Sequence, residues 1–214
     1  MKINFLGDSI TEGAWAGVVE KRYTTLVANA LCAEECNFGL SGTRIAKQVR
    51  KTNNPDDDVY MRRAVKMPKD AAFTFVFGGT NDYGHGDAKM GTMEDRDPYT
   101  FYGAMHELVA YLVSEFDRKK LCFIMPIPRY DQDNVYGDGS KIEPAYPLSA
   151  YIAAEKEVLD YYGVEYLDLT DKFYVPTTPT DDGDLFADGL HPNAAGHSFL
   201  AACLLEYVRE KIEE

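Results

Sequence analysis

Five short apolar runs, alternating with segments of helical periodicity, constrain this chain more than any other feature. Ile3 to Leu6 ends at Gly7, a second short run lies near Cys36-Asn37-Phe38, and Ala71 to Phe77 stops at Gly78-Gly79. Leu121 to Met125 is halted by Pro126 and Pro128, and Val164 to Leu169 makes a fifth run. Between them, Tyr23, Leu26, Val27, Ala30 and Leu31 fall on one helical stripe. So do Phe101, Met105, Leu108, Val109, Leu112 and Phe116. A third stripe carries Tyr151, Val158, Leu159 and Tyr162, and a last one Leu200, Cys203, Leu204, Val208 and Ile212. Apolar strands separated by helices predict an α/β fold whose parallel sheet is covered on both faces. One domain over residues 1–214 suffices, because no internal repeat or low-complexity linker divides the chain.

Two stretches do not fit the alternation. Tyr83 to Pro98 is rich in Gly, Asp and Met, and Ile127 to Pro147 in Asp, Gly, Pro and Tyr. Each follows a strand directly, which places both at the carboxyl edge of the sheet, where open α/β folds bind ligands.

Charge narrows the partners. The formal net charge is −13 over 214 residues, a surface that repels nucleic-acid phosphates and anionic lipid, so no nucleic acid and no membrane is expected as partner. A small neutral substrate fits better. Met1 to Leu6 lacks the long apolar core of a signal peptide, and no stretch is long and apolar enough to span a bilayer. Cys32, Cys36, Cys122 and Cys203 lack zinc spacing, so they are expected as reduced, packed thiols in a cytoplasmic protein. Asp56-Asp57-Asp58 reads as a helix N-terminus.

Four blocks carry residue types suited to acyl transfer. Gly7-Asp8-Ser9-Ile10-Thr11 delivers Ser9 to the sheet edge on a tight turn, where a serine is either a nucleophile or a helix cap. Asp188-Gly189-Leu190-His191-Pro192 sets a carboxylate three residues before an imidazole; alone, it also reads as a capping loop with a surface histidine. Gly78-Gly79-Thr80-Asn81-Asp82 offers a side-chain amide, and Asn37-Phe38-Gly39-Leu40-Ser41-Gly42 a glycine N–H. Either block alone reads equally as a turn. The G-x-S-x-G elbow of the larger α/β hydrolases is absent from the sequence.

Taken together, the four blocks resemble the SGNH hydrolases, the GDSL-type esterase and lipase family, from position 7 to position 192. Isoleucine stands at position 10, where the family name has leucine. The resemblance implies a flavodoxin-like three-layer α/β/α sandwich with a five-stranded parallel sheet, and acyl transfer with no metal and no cofactor. It further implies Ser9 as nucleophile, His191 as general base and Asp188 as its orienting partner. The Ser9 N–H, the Gly42 N–H and the Asn81 side chain would then form the oxyanion hole. Asp8 and Asp82 are expected to brace loops, and His106 and His197 to be structural.

Tyrosine is abundant, at 15 of 214 residues. Tyr83, Tyr99, Tyr130, Tyr136 and Tyr146 lie in or beside the two long loops, and Trp15 follows the nucleophile turn. Aromatic faces with polar tips suit sugar rings, and equally suit packing that tethers loops. Trp15, Tyr83, His85, Tyr130 and Tyr136 are the candidate substrate contacts. The expectation is an esterase that removes small acyl groups, acetyl above all, from a sugar. Its rivals are a lysophospholipase or thioesterase acting on longer chains, and a non-catalytic carbohydrate-binding protein.

Overall fold

The computed structural model describes residues 1–50, 59–180 and 183–213; the acidic run at positions 56–58 lies outside them. Five strands, β1 (Lys2–Gly7), β2 (Glu34–Gly39), β3 (Phe73–Phe77), β4 (Leu121–Ile124) and β5 (Glu165–Leu167), form one sheet in the order β2-β1-β3-β4-β5. Every pairing is parallel. All five apolar runs become strands, and the third, fourth and fifth strands are shorter than their apolar runs.

The helices are α1 (Ser9–Glu12), α2 (Tyr23–Ala30), α3 (Tyr60–Ala64), α4 (Thr80–Gly84), α5 (Phe101–Glu115), α6 (Leu148–Tyr162) and α7 (Ala194–Glu213). The four long ones coincide with the four apolar stripes. The three short ones, α1, α3 and α4, have too few turns to show a periodicity in sequence.

Alternation along the central strands splits the core in two. Leu6, Val76, Leu121 and Phe123 face α5 and α6, packing on Met105, Leu108, Val109, Tyr151 and Val158. Ile3, Phe5, Phe73, Phe75, Cys122 and Ile124 face α2 and α7, meeting Val27, Leu200, Leu204 and Val208. Residues of period two therefore supply both faces, which is why β1, β3 and β4 read as nearly continuous apolar runs. The result is three layers, α/β/α, as expected. No helix among the described residues is long and apolar enough to cross a membrane.

Parallel strands put all their carboxyl ends on one edge. That edge receives the turn after β1 with Ser9, the loop after β2 with Gly42, the turn after β3 with Asn81, and the loop after β4.

Candidate active site

Ser9 is the first residue of α1, directly after β1. Asp8 caps this four-residue helix by accepting the Ile10 N–H at 3.0 Å. Gly7 carries no side chain for good reason: a Cβ there would lie 2.0 Å from Thr11 Oγ1 and 2.9 Å from the Phe77 carbonyl. The tight turn leaves the Ser9 side chain at the sheet edge, almost fully buried.

Ser9 Oγ lies 2.8 Å from His191 Nε2. His191 Nδ1 donates to Asp188 Oδ2 at 2.7 Å, while Asp188 Oδ1 accepts the backbone N–H groups of His191 at 2.7 Å and Leu190 at 3.1 Å. The carboxylate thus folds its own loop and orients the ring. Gly189 makes this turn possible with φ +75° and no room for a side chain, since a Cβ would meet the Thr178 carbonyl at 2.6 Å. Burial works to raise the Asp188 carboxyl, but its three bonds and the neighbouring imidazole together hold it below the ordinary aspartate value. A carboxylate kept ionised there fixes the proton on Nδ1 and leaves the Nε2 lone pair toward Ser9.

The N–H groups of Ser9, Gly42 and Asn81 stand on the turns and loops that follow β1, β2 and β3. Neither the Ser9 nor the Gly42 backbone N–H has a hydrogen-bond partner among the described residues. Asn81 Nδ2 spends one of its two hydrogens on the Thr43 carbonyl at 3.0 Å and keeps the other. Gly42 has φ +74° and open space where a Cβ would stand.

The loop that presents Gly42 is held at almost every polar atom. Glu12 Oε2 accepts from the Ser41 N–H at 2.8 Å and from the Ser41 hydroxyl. Thr43 Oγ1 donates to the Leu40 carbonyl at 2.7 Å. The Asp82 carboxylate accepts the Ile45 and Ala46 N–H groups, both at 2.9 Å. His85 Nε2 lies 3.2 Å from the Gly42 carbonyl, and its Nδ1 faces Asp138 at 3.3 Å. Burial pushes the carboxyls of Asp8 and Asp82 up to about 6, against the pull of their backbone donors. Both act as loop braces, as expected from sequence.

The remaining expectations divide. His106 bonds Tyr162 and the Met93 carbonyl, and His197 bonds the Tyr23 N–H and the Ala14 carbonyl, so both are built into the packing. Trp15, Tyr130 and Tyr136 are exposed, and the Tyr130 N–H bonds the Gly189 carbonyl at 2.8 Å, beside the His191 loop. Tyr83 is a correction. Its ring is wholly buried, packed edge-on against Tyr151 and under the Arg129 guanidinium, and its hydroxyl donates to the Asp131 and Asn134 carbonyls. A tyrosine so enclosed ties the β4 loop to α4 and offers a substrate nothing. His85 is half-buried, and its recorded partners are Gly42 and Asp138.

Sequence reasoning passed over Glu12, Tyr60, Arg63 and Thr43, whose roles arise from contacts far apart in the chain. Among the described residues, no three or more His, Cys, Asp or Glu side chains converge to hold a metal.

The GDSL-like Lipase/Acylhydrolase family matches residues 5–199. The chain belongs to this family. As an acylhydrolase it is an esterase-type hydrolase, and the four blocks read from its sequence fall within the matched span. Among solved structures, a protein of Lactobacillus plantarum is 31% identical, with 98% of this chain and 96% of that one covered and a TM-score of 0.79. Two more distant structures share the acylhydrolase fold. One is a carbohydrate acetylesterase family member from Sinorhizobium meliloti, 18% identical over 100% of both chains with a TM-score of 0.66. The other is a carbohydrate acetylesterase from the same organism, 19% identical over 98% of both chains with a TM-score of 0.63. No curated protein matches the chain significantly.

Proposed function

We propose that this acylhydrolase removes small acyl groups, acetyl foremost, from a sugar or oligosaccharide through an acyl-enzyme on Ser9. The observation that carries the chemistry is the unbroken relay Ser9–His191–Asp188, at 2.8 and 2.7 Å, at the sheet edge where the Ser9 and Gly42 N–H groups have no partner among the described residues. His191 takes the Ser9 proton as Oγ attacks the ester carbonyl, and the oxygen that gains charge settles among the N–H groups of Ser9, Gly42 and Asn81. His191 then returns the proton to the departing alcohol. Water, activated by the same ring, hydrolyses the acyl-serine.

The alcohol half rests on exposed rings in the loops that follow β1 and β4. Tyr130 stands beside the His191 loop, Trp15 projects just beyond α1, and Tyr136 and Tyr146 are exposed on the β4 loop. Aromatic faces with polar neighbours suit a sugar's apolar face and hydroxyl edge. The two acetylesterases from Sinorhizobium meliloti that share this fold point the same way. Four free cysteines suit a reducing compartment such as the cytoplasm.

Hydrolysis of acetyl, butyryl and octanoyl p-nitrophenyl esters, alongside a panel of acetylated sugars, tests this reading. We expect kcat/KM to be highest for acetyl and to rise further on an acetylated sugar. A preference that climbs with chain length would replace it with a lysophospholipase or thioesterase.

A further inference from the structure

Oxyanion stabilisation depends on donors that come from three different strands, so something must fix those strand ends relative to one another. The Gly7, Phe38 and Phe77 carbonyls lie at or beside the ends of β1, β2 and β3, and, although Gly7 already accepts the Leu40 N–H at 3.1 Å, all three take side-chain donors. One short helix, α3, supplies them. Arg63 Nη1 donates to the Gly7 carbonyl of β1 at 2.6 Å and to the Phe38 carbonyl near the end of β2. Its Nη2 donates to Thr43 Oγ1 at 2.7 Å, within the Gly42 loop. One turn earlier, the Tyr60 hydroxyl donates to the Phe77 carbonyl that ends β3, at 2.9 Å. The Tyr60 ring also occupies the space a side chain on Gly78 would need, with ring atoms 2.6 Å from such a Cβ. The two side chains support each other, the guanidinium carbon standing 4.8 Å from the Tyr60 ring centroid. Tyr60 is wholly buried and Arg63 nearly so.

We propose that Tyr60 and Arg63 are positioning residues, a clamp that sets the Ser9, Gly42 and Asn81 donors in register by holding the ends of β1, β2 and β3. Neither side chain touches the substrate. Each acts on backbone or side-chain atoms near a donor: Gly7 two residues before Ser9, Phe38 four before and Thr43 next to Gly42, and Phe77 four before Asn81. The proposal rests on the serine-esterase reading above.

The test uses Tyr60→Phe, which keeps the ring and loses one hydroxyl, and Arg63→Ala, with Val109→Ala as a core variant in α5, a helix that carries none of the three donors. Each is assayed for kcat per Ser9 titrated by a phosphonate, for KM on an acetyl ester, and for Tm. Displacing a donor by a fraction of an ångström slows the acyl-transfer step without altering ground-state binding. We therefore expect kcat to fall about tenfold for Tyr60→Phe and about a hundredfold for Arg63→Ala, with KM held within about twofold. Millimolar guanidinium ion should partly restore Arg63→Ala, and sodium chloride at equal concentration should not. Val109→Ala should lower Tm and keep its kcat per titrated site.

The clamp is overturned if Tyr60→Phe keeps wild-type kcat per titrated site. Failure of guanidinium to raise the rate of a folded Arg63→Ala would remove Arg63 from it. If Arg63→Ala does not fold, Tyr60→Phe decides alone. A wild-type protein inactive on every ester would instead sink the esterase reading, so the two failures are distinguishable.

Discussion

Replacing Asp188 by asparagine isolates what the carboxylate contributes beyond shape. Asp188 makes three bonds, two from Oδ1 to the backbone N–H groups of Leu190 and His191 and one from Oδ2 to His191 Nδ1. Asparagine keeps the first two, so the loop holds and Tm should move by only a few degrees. The third bond is inverted. A side-chain N–H₂ now faces Nδ1, which must accept, so the ring proton shifts to Nε2. That nitrogen stands 2.8 Å from Ser9 Oγ and becomes a donor to the group it should deprotonate. The variant also loses the charge that stabilises the imidazolium, a charge-assisted bond contributing about 1.5 to 3 kcal/mol. With the tautomer penalty added, kcat should drop about ten-thousandfold, equivalent to about 5.4 kcal/mol. Steady-state hydrolysis of p-nitrophenyl acetate at neutral pH measures it. An Asp188→Asn enzyme, folded and within about tenfold of wild type, would refute the reasoning.

Two further outcomes follow from the same geometry. Asn81→Ala removes one oxyanion donor and the Thr43 tether together, so kcat should fall about a hundredfold to a thousandfold, with Ser9 still labelled by a phosphonate, more slowly. Glu155→Gln tests a buried acid behind the site. Its carboxyl has no hydrogen-bond partner among the described residues, stands where a Cβ on Gly79 would be, and is pushed well above the ordinary value by burial and by the charges of Asp82 and Asp8. The folded protein therefore holds that proton to higher pH than the unfolded chain. Stability is lost as pH rises from about 4 toward the folded-state value. Glu155→Gln should match wild type in Tm near pH 4 and exceed it increasingly toward neutral pH; a constant difference would remove Glu155 as the source.

The strands were legible because each apolar run is bounded by glycine, proline or polar residues, and the long helices because four stripes keep helical spacing over two turns or more. Asp188 and His191 could be read together because they lie three positions apart in one turn. Ser9, Gly42 and Asn81 could be read because each follows a strand end. Tyr83 was misleading because tyrosine is amphipathic: sequence cannot say whether its hydroxyl meets a substrate or, as here, two carbonyls of a neighbouring loop. The Tyr60–Arg63 pair left no local mark at all. Arg63 bonds Gly7 from 56 positions away, and a five-residue helix shows no pattern to announce it. A glutamate on an amphipathic helix carries no local sign of burial, and only packing against Gly79 reveals Glu155 as buried.

The central claim is that Ser9 forms a covalent acyl intermediate with His191 as its base. Intact-protein mass spectrometry with peptide mapping, after exposure to a fluorophosphonate, tests it most directly. The account predicts one adduct per chain, on Ser9, absent in Ser9→Ala and formed far more slowly in His191→Ala. An adduct on another residue, or ester hydrolysis that persists undiminished in Ser9→Ala, would contradict it.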